Sequence, residues 1–535
     1  METRSTKRKK IAHRNHQITA KGAKRKAAID RISDLPDAIL HRILFLLPIK
    51  CIAQMSVLSK RWRFLWTTFP DLDFTTISPF TISPTTTKSR YNKFSTANNR
   101  HSRKQDFITQ VLSIRDKNSD IRVLCFRARL SFSRLNNLIR SAIRQNVRIL
   151  DVEVATEVVT DDYFNFPRCI IGSHSLKVLK LKSGFRLPPS SIMRDGFRSL
   201  QTLSLSLVIL YNQPFLSDLF SESSFPLLKN LHLDMCFGLK YLRVGCKALE
   251  DFSLEKCFQL QGLDISCPKL EKLKVASCFD AYSEKSWVRI SAPKLQDLVW
   301  HYNAVTDMTM FEDHHHQQQL LHHQSSSNSL SLFSGDASVG FFILNEDVSI
   351  GKLQSVNNFL SGLSHARSLI LESQTIEVLS NNKFFIQPFY SLKSLELHTG
   401  FNKSNVQGLA CLFRSSPTLH TLILKIINDF QIERKQWNRD LWDMTSTEEE
   451  QYWESQIPSL KPFLQHLKVV KIHGFLDCEN EVTLAKFLLK HGKALEEMQL
   501  CAGQVNARDT LRRQKIRSQM MGFSWASSNA KVAFQ

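Results

Sequence analysis

The sequence predicts an α/β protein, with a short N-terminal module of three helices, then a solenoid of parallel strands shaped as a horseshoe, closed by an α+β cap. Three observations predict this fold. About 45 residues near the N-terminus show helical periodicity. An apolar template then recurs over most of the 535 residues, which is typical of repeat architectures. Finally, strand and helix patterns alternate near the C-terminus.

Charge is concentrated at the N-terminus. The formal net charge is +22, and residues 1–26 supply +9 of it, which leaves +13 for the remaining chain. Repelling charges without apolar periodicity predict a disordered basic tail over residues 1–29. Two basic clusters in this tail resemble a two-part nuclear localisation signal, so the nucleus is slightly favoured over the cytoplasm. The clusters contain Lys7, Arg8, Lys9, Lys10, Lys24, Arg25 and Lys26.

Composition argues against several classes of protein. No stretch approaches the ~18 apolar residues that span a membrane, so no membrane association is expected. No apolar segment follows the basic tail, which argues against a secretory signal, and the eleven cysteines are then expected to be reduced thiols. No Walker A, H-E-x-x-H or G-x-S-x-G motif is present, and the chain has only 17 glycines. Neither an enzyme activity nor a cofactor is therefore expected.

Residues 30–74 have the pattern of three short helices. Pro36 suits the first turn of a helix, and Asp37 favours the positive end of the helix dipole. Ser59 is placed to cap the third helix. So small a unit often needs a partner to cover its apolar surface. The first helix is predicted to carry an apolar face ended by Pro48, made of Ile39, Leu40, Ile43, Leu44 and Leu47.

The segment ISDLPDAILHRILFLLPIKCIAQMSVLSKRWRFLW, residues 32–66, resembles an F-box. Proteins with this motif bind a Skp-family adaptor and thereby join the cullin and RING subunits of an SCF-type ubiquitin ligase. The alternative is that the apolar residues only pack the core of the module, and for Ile43 and Trp62 both roles have equal weight. The resemblance implies adaptor contacts for Leu35, Pro36, Ile39, Leu40, Ile43, Leu44, Leu58 and Trp62.

Residues 75–119 are rich in Ser, Thr and Asn and predict a linker, with one helix near residues 107–114. Residues 120–430 then repeat the template L-x-x-L-x-L every 21–29 residues outside a gap. This is the period of leucine-rich repeats, in which alternate side chains of each strand enter the core and the others line a concave sheet. The copies begin at Ile121, Val147, Leu176, Leu200, Leu228, Leu249, Leu270, Leu295, Ala366, Leu392 and Leu419, with two more at Leu467 and Leu495.

Between residues 228 and 270 the template recurs every 10 or 11 residues. Ten residues cannot hold a strand, two turns and a helix, so strands are predicted on both sides of each coil. The His-rich run at about 305–338 is predicted to be a low-complexity loop without a metal site. Five cysteines are expected to fill inward corners as small apolar side chains, because no C-x-x-C pair indicates a metal. They are Cys236, Cys246, Cys257, Cys267 and Cys278.

The C-terminal part begins with tryptophans among acids, and residues 431–460 are predicted to be an inserted loop. The segment from Leu460 to Leu500 resembles the FBD region that closes many plant F-box proteins with leucine-rich repeats. A strand, an amphipathic helix, a second strand and a final edge strand at residues 531–534 are expected. Together they predict a closing repeat over residues 461–535 that caps the array.

The leading hypothesis is a substrate receptor of an SCF-type ligase, which holds the adaptor through the F-box and an unknown protein target through the repeats. The alternative is a nuclear basic protein that binds nucleic acid. Acids interrupt the predicted concave surface, whereas phosphate tracking needs a continuous basic groove, so a protein target is favoured. The target-binding candidates are Lys180, Lys182, His232, Asp234, Asp251, Glu255, Lys272 and Lys274.

Overall fold

One sheet of sixteen parallel strands dominates the structure, a computed structural model. The residues that it describes are 32, 34–76, 108–130, 132–155, 164–182, 184–210, 219–281, 286–310, 333–343, 350–380, 386–401, 403–426, 446–475, 479–502 and 510–534.

The repeat template forms the strands of this sheet, because its alternation gives each strand one buried face. In the strand Val178–Lys182, Leu179 and Leu181 are buried, whereas Lys180 and Lys182 lie on the concave side. The main sheet contains, in spatial order, β1 (Asp71–Asp73), β2 (Val123–Arg129), β3 (Ile149–Ala155), β5 (Val178–Lys182), β7 (Thr202–Ser206), β9 (Asn230–Asp234), β11 (Asp251–Glu255), β13 (Lys272–Ala276), β15 (Asp297–Ala304), β17 (Asp336–Phe342), β18 (Ser368–Leu371), β19 (Ser394–Thr399), β20 (Thr421–Ile426), β21 (Val469–Phe475), β22 (Glu497–Ala502) and β23 (Lys531–Phe534).

The three predicted N-terminal helices are present as α1 (Asp37–Phe45), α2 (Ile49–Met55) and α3 (Lys60–Thr68). Proline precedes both α1 and α2, where its missing N–H is tolerated. Ser59 caps α3 as predicted, because its side chain accepts a hydrogen bond from the Trp62 amide at 3.3 Å.

The F-box segment runs directly into the solenoid, because β1 is the first strand of the main sheet and pairs with β2. Residues 108–114 are helical as predicted. However, Ile108, Val111 and Leu112 are buried in the common core. The linker prediction is therefore wrong for residues 108–119, since the apolar face of this helical turn gives it a surface to bury. Residues 77–107 lie outside the described residues.

The second sheet predicted from the 10-residue spacing is present. It contains β8 (Phe220–Ser221), β10 (Tyr241–Gly245), β12 (Gly262–Ser266), β14 (Trp287–Ser291) and β16 (Asp307–Met310). Residues 219–281 are all described and contain no helix, which confirms the prediction for this stretch. A further pair, β4 (Phe164–Asn165) and β6 (Phe185–Arg186), lies in the earlier repeats.

Helices replace the second sheet on the outer side of the other repeats. In the helix Phe132–Arg144 the buried residues Leu135, Leu138, Ile139 and Ala142 lie on one face. In the parts of the chain that the structure describes, none of the helices could cross a membrane. The outer helices are α4 (Phe132–Arg144), α5 (Ser190–Met193), α6 (Ile350–Gly362), α7 (Ser373–Val378), α8 (Lys403–Ser415), α9 (Ser446–His466), α10 (Glu479–His491) and α11 (Thr510–Met521), with a 3₁₀ helix at Arg168–Ile170.

The loop prediction for about 305–338 is wrong at both ends, because β16 and the start of β17 fall within it. The template missed β17 because Ala337 and Val339 stand where leucine is usual. Gly335 precedes this strand, and a Cβ there would lie 1.8 Å from the Gln296 carbonyl oxygen, so only glycine fits. The His-rich run, His314–His316 with His322 and His323, lies outside the described residues.

The loop prediction for residues 431–460 is wrong from Ser446 onward, where α9 begins. Trp453 is fully buried and stacks between Phe413 and Phe487, with ring centroids 6.0 and 5.4 Å away. An aromatic contact of this kind stabilises a helix that its acidic composition alone would not indicate. The predicted strand, amphipathic helix, second strand and edge strand are present as β21, α10, β22 and β23. The helix α11 was not predicted.

Candidate interaction surfaces

The inner face of the F-box forms the core of the module. Leu40, Leu44 and Trp62 are only 0%, 1% and 6% exposed. These three side chains pack inside their own module and stabilise it. Substituting them would affect adaptor binding only indirectly, by changing the shape of the module. Ile43 is half-buried against the same core.

The outer face is apolar and open. Ile39 is 40% exposed and Leu58 is 70% exposed, while Pro36 is exposed and Leu35 is half-buried. Sequence reasoning missed Val57, which is 81% exposed beside Leu58. Its signal was an apolar residue two positions beyond the end of α2.

Arg61 holds the start of α3 close to the start of α1. Its Nη2 donates a hydrogen bond to the carbonyl oxygen of Leu35, and its Nε lies 2.8 Å from Asp37 Oδ1. Since Leu58 precedes Arg61 by three residues, the turn before α3 lies beside the Leu35–Pro36 start of α1. We call Leu35, Pro36, Ile39, Val57 and Leu58 the F-box patch.

A polar joint fixes the F-box to the first repeats. Arg122 of the turn before β2 pairs with Asp71 of β1 at 2.7 Å from Nε to Oδ1. The same guanidinium lies 5.0 Å from the ring centroid of Phe45 at the end of α1. Arg115 contributes further hydrogen bonds, so the F-box is held to the solenoid by side chains as well as by the β1–β2 pairing.

The predicted target-binding residues all lie on the concave face. A depression of about 590 Å³ between β9 and β18 brings five of the eight together. Lys180, Lys182 and Asp234 lie outside it. The depression also contains Val299 and Ile370, which form an apolar floor that sequence reasoning did not single out. The five residues at the depression are His232, Asp251, Glu255, Lys272 and Lys274.

The lysine side chains on the concave face form ion pairs with acidic residues and do not line up as a continuous basic surface. Lys274 Nζ lies 2.7 Å from Glu255 Oε2, and Lys182 Nζ lies 3.2 Å from Glu153 Oε1. Lys272 Nζ is 3.8 Å from Asp297 Oδ2. A surface of paired charges suits a folded protein partner better than a phosphate backbone.

A second charged cluster, missed in the sequence, lies beside the depression. His398 Nδ1 is 3.0 Å from Glu372 Oε1, and His398 Nε2 is 2.8 Å from Glu396 Oε1. Lys425 Nζ is 2.5 Å from the same Glu396 oxygen. The hydrogen bond to Glu372 raises the pKa of His398 above its usual range, with Glu396 contributing to the rise. The signal was available, because Glu396, His398 and Lys425 occupy outward template positions of β19 and β20. Glu372 directly follows β18.

The surroundings of the five buried cysteines of the repeats indicate a structural role. Cys257 Sγ lies 3.8 Å from the Leu233 carbonyl oxygen, and Cys278 Sγ lies 3.3 Å from that of Leu254. Burial raises the pKa of Cys246 to about 12 and that of Cys267 to about 11. Within the described ranges, no group of three or more His, Cys, Asp or Glu side chains could hold a metal ion.

A helical module with an open apolar patch, joined to a leucine-rich solenoid, defines a protein that acts through protein–protein interaction. Family models agree with this class. An F-box domain matches residues 32–73, the model described as At1g61320/AtMIF1, LRR domain, matches residues 112–312, and FBD matches residues 458–500. F-box domains generally bind Skp-family adaptors, and members of this class are generally not catalytic.

The chain belongs to the F-box/FBD/LRR-repeat family. It is 47% identical to a putative F-box/FBD/LRR-repeat protein of Arabidopsis thaliana over the full length of both chains. It is 24% identical to an FBD-associated F-box protein of the same plant, over 88% of this chain and 91% of the relative. A third relative, F-box/LRR-repeat protein 25 of A. thaliana, is 31% identical over 40% of this chain and 70% of its own length.

Proposed function

We propose that this chain is the substrate-receptor subunit of an SCF-type cullin–RING ubiquitin ligase. The observation that carries the proposal is the F-box patch, in which Val57 and Leu58 are 81% and 70% exposed. Apolar side chains this open on a small helical module are typical of anchors for a protein partner. A Skp-family adaptor bound there connects the chain to cullin and RING subunits.

The proposed mechanism is positional, and the chain itself is not an enzyme. The concave depression holds a protein target, and the joint around Arg115 and Arg122 fixes the F-box relative to it. A target held in this way presents its lysines at a raised effective concentration to the charged ubiquitin carrier. A rigid joint favours transfer because less orientational freedom is lost at each encounter.

The adaptor contact can be tested by substitution. The full-length chain is co-expressed with a Skp-family adaptor, and the affinity is measured by titration for the wild type and for Leu58→Asp. A buried charge at an interface anchor is expected to weaken binding by at least about 30-fold. Leu227→Asp is the matched control, because Leu227 is 50% exposed on the repeats. An affinity that is unchanged in Leu58→Asp contradicts the contact.

The target contact needs a second experiment. Proteins captured in cells by the wild-type chain and by Leu58→Asp are compared, together with their lifetimes. A ligase target is expected to bind both chains and to be degraded faster only with the wild type. Lys274→Glu, which reverses a charge in the depression, is expected to reduce this capture without affecting adaptor binding. If Lys274→Glu captures the targets as well as the wild type does, the target contact lies outside the depression.

For localisation we propose nuclear import through the basic tail, whose residues lie outside the described part of the chain. Its support is the spacing of Lys7–Lys10 and Lys24–Lys26. Replacing both clusters with glutamine in a fluorescently tagged chain is expected to shift it towards the cytoplasm. An unchanged nuclear fraction contradicts this proposal and leaves the ligase proposal unaffected.

A further inference from the structure

Beyond the adaptor and target contacts, we infer that the outward face of the second sheet docks an acidic segment of a further protein partner, with an apolar side chain of that segment packed on its aromatic rings. The strands that form this face are β10, β12 and β14, which pair in register. The face lies on the outer side of the repeats, whereas the target is proposed to bind on the concave side. It is therefore separate from both the F-box patch and the concave depression.

Large aromatic side chains lie on this outward face. Tyr241 on β10 is 52% exposed, and the half-buried Trp287 on β14 is level with it in the register. Both rings lie over Gly262 of the strand between them, where a Cβ atom would be 2.7 Å from the Trp287 ring and 2.8 Å from Tyr241 Cδ1. Phe237 and Phe258, in the turns that lead into β10 and β12, are also exposed. Exposed aromatic side chains grouped in this way are typical of protein–protein interfaces.

A row of charged side chains runs beside the rings. Two residues further along each strand, the register aligns Arg243, Asp264 and Arg289. Arg243 Nε lies 3.4 Å from Asp264 Oδ2, and Arg289 Cζ lies 5.3 Å from the ring centroid of Trp287. Both arginines are exposed. A guanidinium group has five N–H donors, so an ion pair through one edge, or a stacked face, leaves donors for the carboxylates of a partner.

The charge of the outer side of these coils favours an acidic partner. The outer segments of three consecutive coils contain seven basic and three acidic residues, whereas the inner segments of the same coils contain four basic and five acidic residues. The excess of basic residues therefore belongs to the outer side, which attracts a partner of opposite charge. The outer segments are residues 236–249, 257–270 and 279–295, and the inner segments are residues 228–235, 250–256 and 271–278.

The position of Asp264 favours a protein segment over a nucleic acid. Its carboxylate lies between the two arginines and repels a phosphate backbone, which is negatively charged and accepts hydrogen bonds without donating them. A peptide supplies both kinds of group, because its acidic side chains pair with Arg243 and Arg289 while its backbone N–H groups donate to a carboxylate. An apolar side chain between those acids then covers the exposed part of the Tyr241 ring.

A peptide selection tests the chemistry of the partner. A phage library of random peptides is selected on the immobilised full-length chain at about 150 mM salt, which weakens non-specific attraction to the basic tail. The enriched peptides are expected to have two or more acidic residues around an apolar one. Enriched peptides without acidic residues, or no enrichment at all, overturn the proposal.

Arginine variants assign the binding to the outward face. Arg243→Gln and Arg289→Gln are each expected to weaken binding of the synthesised consensus peptide by about fivefold or more, as measured by calorimetry. Arg144→Gln is the matched control, because Arg144 is exposed on α4 and lies outside the second sheet. A similar loss in the control indicates only the general positive field and contradicts the docking surface.

The aromatic part of the surface has its own pair of variants. Tyr241→Ser removes the ring and is expected to weaken binding of the consensus peptide by about tenfold, whereas Tyr241→Phe keeps the ring and is expected to bind like the wild type. Equal binding by Tyr241→Ser and the wild type contradicts the packing of an apolar side chain on this ring. The arginine variants keep the test decisive if uncovering Gly262 weakens the fold.

Photo-crosslinking locates the peptide independently of these substitutions. The consensus peptide is made with a diazirine analogue of leucine at its apolar position, and the cross-linked residues are identified by mass spectrometry. Cross-links are expected within residues 236–295. Cross-links confined to residues 1–29 or to the strands of the main sheet overturn the proposal, and a thymidine oligonucleotide that displaces the peptide at a concentration below the Kd of the peptide overturns the class of partner.

Discussion

Arg115, just before the first full repeat, donates a hydrogen bond from Nη1 to the carbonyl oxygen of Phe69, the residue directly after the third F-box helix. Its Nη2 donates to the Asp120 carbonyl oxygen at 2.7 Å, and its Nε donates to Gln145 Oε1 at 3.0 Å. The residue is only 4% exposed. One buried side chain therefore connects the end of the F-box, the turn before β2 and the end of α4.

The joint predicts a large cost for Arg115→Met. Methionine keeps much of the apolar stem but leaves the carbonyl oxygens of Phe69 and Asp120 buried without this donor, so the variant is expected to lose about 2–3 kcal/mol. Urea unfolding measures the loss. Arg122→Met is the control, because the Arg122 side chain is 52% exposed and a surface ion pair contributes at most about 1 kcal/mol. Equal losses in the two variants contradict the importance of the buried joint.

Asn303 predicts a second stability effect, in the middle of the solenoid. It is fully buried, donates to the Val275 carbonyl oxygen at 2.9 Å and accepts from the Cys278 amide at 2.8 Å. Asn303→Ala breaks both bonds and leaves buried backbone groups unpaired, so a loss of about 2–4 kcal/mol is expected.

A repeat two strands earlier in the main sheet offers a control for Asn303. Cys257 occupies the equivalent corner, but its sulfur is a weak donor at 3.8 Å from the Leu233 carbonyl oxygen. Cys257→Ala is therefore expected to lose about 1 kcal/mol, mainly through packing. Urea midpoints rank the two variants. A larger loss for Cys257→Ala indicates that volume, rather than hydrogen bonding, determines stability at these corners.

The regular part of the fold could be predicted from the sequence because it is encoded locally. In register, Leu231, Phe252 and Leu273 stand side by side on β9, β11 and β13, at the positions that the template assigned to the core. The absence of helices between residues 233 and 270 followed from the spacing of the template copies alone, because 10 or 11 residues are too few for a strand, two turns and a helix. The outward alternation predicted the concave side for His232, Asp251 and Lys274, and all three line the depression.

The parts of the fold that could not be predicted from the sequence depend on contacts between residues far apart in the chain. Arg115 and Phe69 are 46 residues apart, and nothing in their local sequence indicates that they meet. Ala337 and Val339 stand where leucine is usual in β17. Before this strand, the chain approaches Gln296 so closely that only Gly335 fits, a condition that only the folded neighbours impose. Similarly, Trp453 stabilises α9 through aromatic rings of α8 and α10, so an acidic segment that resembles a loop is helical.

His398 predicts a dependence of stability on pH. Its pKa is raised by the hydrogen bond to Glu372 and then by Glu396, while Lys425 opposes the rise. A base with a raised folded-state pKa contributes stability that is present below about pH 6.5 and is lost as pH rises through the folded-state pKa. His398→Gln is therefore expected to be more destabilising at about pH 6 than at about pH 8.5 in urea unfolding.

His301, which faces the same Glu372, provides a control of opposite sign. Burial lowers its pKa, so its neutral form is favoured in the fold and protonation at low pH costs stability. His301→Gln is expected to be less destabilising at about pH 6 than at about pH 8.5. The same pH trend in both variants contradicts the assignment of the effect to the carboxylates around His398.

Glu449 predicts a stronger effect within the C-terminal helices. It is fully buried in the first turn of α9, and its Oε1 accepts a hydrogen bond from Trp453 Nε1 at 2.9 Å. Among the described residues, Oε2 has no hydrogen-bond partner. Burial raises the pKa of this carboxyl to about 7, so the folded chain retains a proton that the unfolded chain releases near pH 4.5.

The sign of this dependence follows from proton binding. Between about pH 4.5 and 7 the folded state binds more protons, so stability decreases as pH rises, by about 3 kcal/mol in total. Glu449→Gln keeps the shape and the acceptor oxygen but carries no charge, and it is expected to be more stable than the wild type at pH 8 and similar at pH 4.5.

Glu454→Gln on the same helix is the control, because the hydrogen bond from Lys490 lowers the pKa of Glu454. It removes a favourable charge and is expected to be less stable at pH 8. Urea midpoints at both pH values distinguish these outcomes, and a Glu449→Gln chain that is less stable than the wild type at pH 8 contradicts a buried, protonated Glu449.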